Sequence, residues 1–187
     1  MAFQRHPYGL RSKRTLVIFF LIGMPGSGKS TLGPPLADWL GYNFVDLDTY
    51  IVRKEGQSIA EIFEQQGEDF FRQVEAQALR EVAKPSDGKM VIACGGGTPC
   101  FHDSMQWMLN QGVVIYLEEE KEELLKRIML QDSKRPLLRD NPLKKIGDLL
   151  QMRSPIYEQA TLICKKPTLE KLQQAIDSYL ESKAKSK

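Results

Sequence analysis

Little in this chain lies at an extreme, and each shortage removes a class of protein. Cysteine is scarce: Cys94, Cys100 and Cys164 are the only three in 187 residues. Their number is odd and no two are spaced as C-x-x-C, so a disulfide framework, a zinc site and a redox pair are all disfavoured. They read as small apolar fillers in or near strands, suited to a reducing cytoplasm. Histidine is scarcer still, with only His6 and His102, and neither has an identifiable partner to orient it as an acid–base catalyst. Surplus charge is also missing. Against 26 Lys and Arg stand 24 Asp and Glu, a formal net charge of +2, which gives no ground for nucleic acid or a membrane surface as partner.

No apolar run is long enough to span a bilayer. The run "TLVIFFLIGM" follows the basic segment "MAFQRHPYGLRSKR", with Arg5, Arg11, Lys13 and Arg14, and together they have the outline of a signal peptide. The run leads straight into a glycine-rich stretch, however, which a signal peptidase would leave at the very edge of the mature chain. A buried first strand behind a frayed basic arm, residues 1–14, is the expectation.

What is present is an ordinary globular composition, 42% hydrophobic and 27% charged, in a length that suits one well-buried domain. Apolar runs of strand length recur at residues 15–22, 43–48, 89–94, 112–117 and 160–164. They are continuously apolar and separated by segments of helical spacing, which predicts an α/β fold with a parallel sheet covered on both faces. From Ser58 a capping box with Glu61 opens a long helical pattern that places Ile62, Phe63, Phe70, Val74 and Leu79 at helix-like intervals, divided at Gly67. Further helices are expected over 119–131, 143–159 and 168–183. The stretch 131–142, "QDSKRPLLRDNP", is charged and broken by prolines, and predicts a mobile polar loop. The domain is thus expected to span 15–183, followed by a Lys-rich tail, 184–187.

Glycines crowd one place, directly after the first strand. Gly23 to Ser30, within "LIGMPGSGKSTLG", fits G-x-x-x-x-G-K-[ST] between a predicted strand and a predicted helix. Backbone N–H groups of such a loop, with the helix N-terminus behind them, cradle phosphates. Lys29 would reach the β- and γ-phosphates, and Ser30 would ligate a bridging Mg²⁺. "DLD" ends the second run, so that Asp46 and Asp48, two apart on an extended segment, would point to one side at the carboxyl edge of the sheet. Arg72 and Glu75 lie three apart in "FFRQVEAQ", where an arginine suits two-point capture of a carboxylate. "ACGGGTP" brings three successive glycines, Gly95, Gly96 and Gly97, to the same edge and suggests close backbone approach to a ligand.

The set "GMPGSGKST", "DLD", "FFRQVE", "CGGG", "KRPLL" and "MRSPIYEQA", in this order, resembles the shikimate kinase family over residues 16 to about 180. The resemblance implies a nucleoside-monophosphate-kinase-like P-loop fold with a lid, a three-layer sandwich whose five-stranded parallel sheet has the order 2-3-1-4-5. It implies transfer of the ATP γ-phosphate to the 3-hydroxyl of shikimate in a cytoplasmic, monomeric enzyme of aromatic amino acid biosynthesis. Carried over, Gly26, Ser27, Gly28, Lys29, Ser30 and Thr31 would hold the ATP phosphates, with Ser30 and Asp46 serving Mg²⁺. Asp48 would bind and activate the acceptor hydroxyl, while Arg72 and Arg153 clamp the carboxylate beside Gly95, Gly96 and Gly97. Arg135 resembles the lid arginine that closes over the phosphates, and Arg127 the residue that stacks on adenine. Pro34 and Pro35 depart from the family pattern and predict a local bend in the phosphate helix. Two other readings of the same residues stay open: another small-molecule kinase, such as a gluconate kinase, and a nucleotide-binding module without catalysis.

Overall fold

The computed structural model describes residues 17–84, 88–131 and 142–185. The basic arm and the polar stretch 132–141, with Arg135, lie outside the described residues. Five parallel strands make the sheet: β1 (Ile18–Ile22), β2 (Asn43–Asp46), β3 (Met90–Ala93), β4 (Gly112–Glu118) and β5 (Leu162–Lys165). Their order is β2-β3-β1-β4-β5, the order the resemblance implies. Around them lie α1 (Lys29–Leu40), α2 (Leu47–Glu55), α3 (Ile59–Val82), α4 (Ser104–Gln111), α5 (Lys121–Gln131), α6 (Pro142–Tyr157) and α7 (Leu169–Lys185). The closing helix therefore runs into the expected tail. Among the described residues no helix is long and apolar enough to cross a membrane.

Side chains alternate across the sheet and feed two cores. Ile18, Phe20 and Ile22 of β1 face one side with Ile92, Val114 and Tyr116, covered by residues such as Leu47, Leu79, Met108 and Ile128. Phe19 and Leu21 face the other with Val91 and Ile115, under Leu36 and Leu40 of α1 and Leu172 and Ile176 of α7. Burial on both faces holds for β1, β3 and most of β4. It fails for β2 and β5, which are the sheet edges and stay partly exposed.

One local expectation needs correction. The second run is not a strand to Asp48: β2 stops at Asp46, whose Oδ1 accepts from Thr49 N at 3.0 Å and caps α2. Asp48 sits in the first helical turn, where an acid is favoured by the helix dipole. Pro34 and Pro35 lie inside α1, which continues through them to Leu40. The carbonyls they leave without donors belong to Ser30 and Thr31, both exposed residues where water can serve. Gly33 just before them admits the ring of Phe44, since a Cβ there would fall 2.2 Å from Phe44 Cε2. Gly67 does interrupt α3, with φ 81° and ψ 174°.

Candidate active site

The loop between β1 and α1 turns on glycines in a conformation other residues disfavour. Gly28 is the N-cap of α1 at φ 96°, and no side chain caps that helix end, so its N–H groups face the cleft. Lys29 folds back across the loop. Its Nζ donates to Gly23 O and Met24 O, each at 2.9 Å, and to the buried Ser27 Oγ at 3.4 Å. Burial pushes this ammonium down to about 8, against an opposing pull from Asp48 and Asp46. Beside it, the exposed Ser30 Oγ donates to Asp46 Oδ2 at 2.6 Å. A hydroxyl and a carboxylate in contact at the mouth of a phosphate loop are the oxygen donors that suit Mg²⁺.

A cleft of ≈ 470 Å³ runs from this loop along the sheet edge, and Gly26, Gly28, Lys29, Ser30, Thr31, Asp46, Asp48, Gly95, Gly96 and Arg127 all line it. The three glycines after β3 answer to space rather than to dihedral angle. A Cβ on Gly95 would lie 2.7 Å from Glu75 Oε1 and 2.9 Å from Asp48 Oδ1. On Gly96 it would meet Pro25 Cδ at 2.9 Å and Arg153 Nη1 at 3.2 Å, and on Gly97 Arg72 Nη1 at 2.5 Å. The segment thus gathers Asp48, Arg153 and Arg72 from three different helices.

Arg72 is buried, with its guanidinium held at the edges and on its faces. Nε and Nη2 donate to Glu68 Oε1 at 3.1 and 3.0 Å, and Nη1 to Glu75 Oε2 at 2.8 Å. Phe101, Phe71 and Phe63 have ring centroids 4.4, 5.1 and 5.8 Å from its Cζ. These bonds use three of the five N–H donors a guanidinium carries. One N–H on each terminal nitrogen is left, which matches the two-point geometry of a carboxylate. Glu75 is itself buried, and its Oε1 accepts from Thr98 Oγ1 at 2.6 Å.

Arg127, from α5, reaches across to the phosphate loop. Nη1 donates to Gly26 O at 3.3 Å, Nε to Glu123 Oε1 at 2.8 Å, and Nη2 pairs with Glu119 Oε2 at 2.9 Å. It and Pro167 both line the cleft. Arg153 hydrogen-bonds Tyr157, whose hydroxyl donates to Gly96 O. Burial raises the Tyr157 hydroxyl well above its ordinary range, and the nearby Arg153 opposes this. The Cys94 thiol, buried at the cleft wall, is likewise raised by burial and is no nucleophile.

Every proposed site residue within the described segments except Ser27 therefore falls on this cleft or against its three-glycine wall, and Ser27 is fully buried with its Oγ accepting from Lys29 Nζ. Sequence reasoning missed Thr98, Tyr157 and Pro167 as parts of it. Tyr157 had a signal, since it follows Arg153 by one helical turn; Thr98 and Pro167 had none beyond adjoining a glycine run and a strand end.

The comparisons point one way. A family model described as shikimate kinase matches residues 25–183. A shikimate kinase of Synechococcus sp. (strain RCC307) is 44% identical over 158 residues, covering 83% of this chain and 78% of its own. One from Phocaeicola vulgatus is 37% identical over 166 residues, covering 85% and 94%. Among solved structures, the shikimate kinase of Acinetobacter baumannii in complex with shikimate superposes with a TM-score of 0.82 at 35% identity, over 90% of this chain and 96% of that one. That of Aquifex aeolicus gives 0.77 at 33% identity, over 89% and 98%. The match spans most of both chains, and with the phosphate loop and the Asp48 carboxylate on one cleft and the guanidinium of Arg72 against its glycine wall, this chain belongs to the shikimate kinase family.

Proposed function

We propose that the chain transfers the γ-phosphoryl group of ATP to the 3-hydroxyl of shikimate. The observation that carries this is the meeting of two chemistries at one cleft: a phosphate loop with Lys29 and Asp48 among the residues that line it, and the Arg72 and Arg153 guanidinium groups against its three-glycine wall. The carboxylate of shikimate pairs with Arg72 and Arg153, which fixes the ring and turns its 3-hydroxyl toward Asp48. Asp48 orients that hydroxyl and takes its proton as the new O–P bond forms. The bond from the γ-phosphorus to the β–γ bridging oxygen breaks, and ADP leaves with its electron pair.

Lys29 and the N–H groups from Gly26 to Thr31 hold the β- and γ-phosphates and stabilise charge on the moving group. Ser30 and Asp46 are the residues that would hold Mg²⁺, which when bound neutralises charge on the phosphate oxygens. Arg127 and Pro167 form the walls of the adenine slot. By resemblance alone, Arg135 adds a second cation over the phosphates, closing from the segment 131–142 of a single domain spanning 15–183. We also place the enzyme in the cytoplasm, in keeping with three unpaired cysteines, and, by resemblance alone, as a monomer. ADP release measured with shikimate, with gluconate and without acceptor tests the reading: turnover only with shikimate supports it, and turnover with gluconate or with neither rejects it.

A further inference from the structure

Phe101 is a large apolar side chain left 37% exposed just beyond the three glycines. Its ring lies nearer to Arg72 than either Phe71 or Phe63 does. The backbone behind it is unusual. His102 and Asp103 have φ of 51° and 53°, two successive non-glycine residues in the left-handed region, each opposed by contact between its Cβ and a carbonyl oxygen. Ser104 N donates to Phe101 O at 3.0 Å, closing a four-residue turn of the kind that ordinarily takes Gly, Asn or Asp at its centre, so that His102 is the departure.

What holds that turn is Arg80. Its Nη2 donates to His102 O at 3.0 Å and its Nη1 to Ala76 O at 2.8 Å, while its guanidinium lies 5.4 Å from the Trp107 ring. Arg80 and Arg72 stand on the same helix, α3. One helix therefore supplies both the group that pins the turn and the group that the turn's aromatic ring covers. Strain maintained in this way commonly marks a functional position.

We propose that Phe101 is a positioning residue for the acceptor: its ring, set by the left-handed turn at His102 and Asp103, fixes the plane of the Arg72 guanidinium so that its two remaining N–H groups meet the substrate carboxylate. The inference rests on the reading of Arg72 as the carboxylate clamp. Glu75 is a firm anchor for that guanidinium, buried and bonded to Thr98. Glu68 is a loose one, with its side chain 54% exposed. Edge contacts of unequal firmness leave the plane free to rock about Nη1, and a ring on the face removes that freedom. The ring also keeps water from the ion pair, which strengthens it.

Steady-state kinetics on the full chain test this, with each substrate varied in turn. Phe101→Leu is expected to raise KM for shikimate roughly three- to tenfold, the range of a partly desolvated cation–π contact, with KM for ATP unchanged and Phe101→Tyr near wild type. His102→Val, which disfavours the left-handed turn, should raise KM for shikimate in the same direction, and His102→Gly should not. With the carboxamide analogue of shikimate as acceptor, wild type and Phe101→Leu should have equal kcat/KM, an equality that a general loss of structure would not produce. If Arg72→Ala raises KM for shikimate and Phe101→Leu does not, this inference falls and the clamp stands. If Arg72→Ala leaves KM for shikimate unchanged, the clamp falls and this inference with it. A rise in both KM values for Phe101→Leu would make the ring a packing residue and overturn the proposal.

Discussion

Ser30 Oγ donates to Asp46 Oδ2 at 2.6 Å, and so ties the first turn of α1 to the capping residue of α2. The contact joins the phosphate loop to the strand end that also leads to Asp48. Ser30→Ala removes one of two proposed metal oxygens and leaves the fold intact, since Ser30 is exposed. The Mg²⁺ concentration for half-maximal activity should rise by an order of magnitude or so, given the loss of one charge-assisted contact of about 1.5 to 3 kcal/mol, with KM for shikimate unchanged. A Mg²⁺ titration that is the same for both proteins would remove Ser30 from the metal site.

Gly97→Ala gives a different signature. Gly97 has φ −92°, so alanine meets no backbone strain, but its Cβ would fall 2.5 Å from Arg72 Nη1. The guanidinium must move, because the glycine backbone is held by the Cys100 N to Gly97 O bond at 2.8 Å. KM for shikimate should rise at least tenfold by displacement of a contact worth about 1.5 to 3 kcal/mol, with KM for ATP unaffected. Equal effects on both substrates would mean that the glycine run serves the nucleotide.

How much of this was legible depends on the range of each signal. The phosphate loop is local chemistry: Gly28 must adopt a left-handed angle, and the residues beside it carry the Lys and hydroxyl, so thirteen letters suffice to read it. The helix α2 is equally local yet hidden. Only Leu47 and Ile51 of its nine residues are buried, too few to establish a helical period, and "DLD" continues the apolar strand run without a break. The short α4 is hidden in the same way, since eight residues give barely two turns. Contacts such as Arg127 with Gly26, 101 residues apart, or Tyr157 with Gly96, follow from strand order alone. Arg72 stood out in the sequence as a proposed carboxylate ligand, but Phe101 above it did not, because the turn that delivers it uses His and Asp where glycine would have signalled a left-handed backbone.

Thr98 tests the buried anchor of Arg72. Its hydroxyl is the donor to Glu75 Oε1 in a site closed to water. Thr98→Val keeps the shape and leaves that oxygen unsatisfied, which costs about 1 to 3 kcal/mol. Denaturant unfolding should report that loss as a lower midpoint with an unchanged slope. A variant as stable as wild type would mean that water replaces the hydroxyl and that Glu75 is less enclosed than its burial indicates.

The most direct test of the phosphate loop comes from the Lys29 ammonium, whose burial lowers it from 10.5 to about 8. For stability the sign is fixed by proton count. Between about pH 8 and 10.5 the unfolded chain holds this proton and the folded one does not, so the Lys29 contribution to stability is fully present above the upper value and is lost as pH falls through about 8. Nucleotide binding runs the other way. Phosphates at the loop favour the charged ammonium, so binding keeps the proton on, and affinity should fall as pH rises above about 8, approaching tenfold per unit. Calorimetric titration of ADP between pH 7 and 9.5 in two buffers of different ionisation enthalpy should record this fall, with net proton uptake on binding at the upper end. Lys29→Met should bind weakly with little pH dependence over this range, and should turn over at least about a hundredfold more slowly, as expected when a group that stabilises transition-state charge is removed. An ADP affinity that is level from pH 7 to 9.5 in the wild-type protein, with no proton taken up, would mean that Lys29 keeps its bonds to Gly23 and Met24 when nucleotide is bound and does not contact the phosphates.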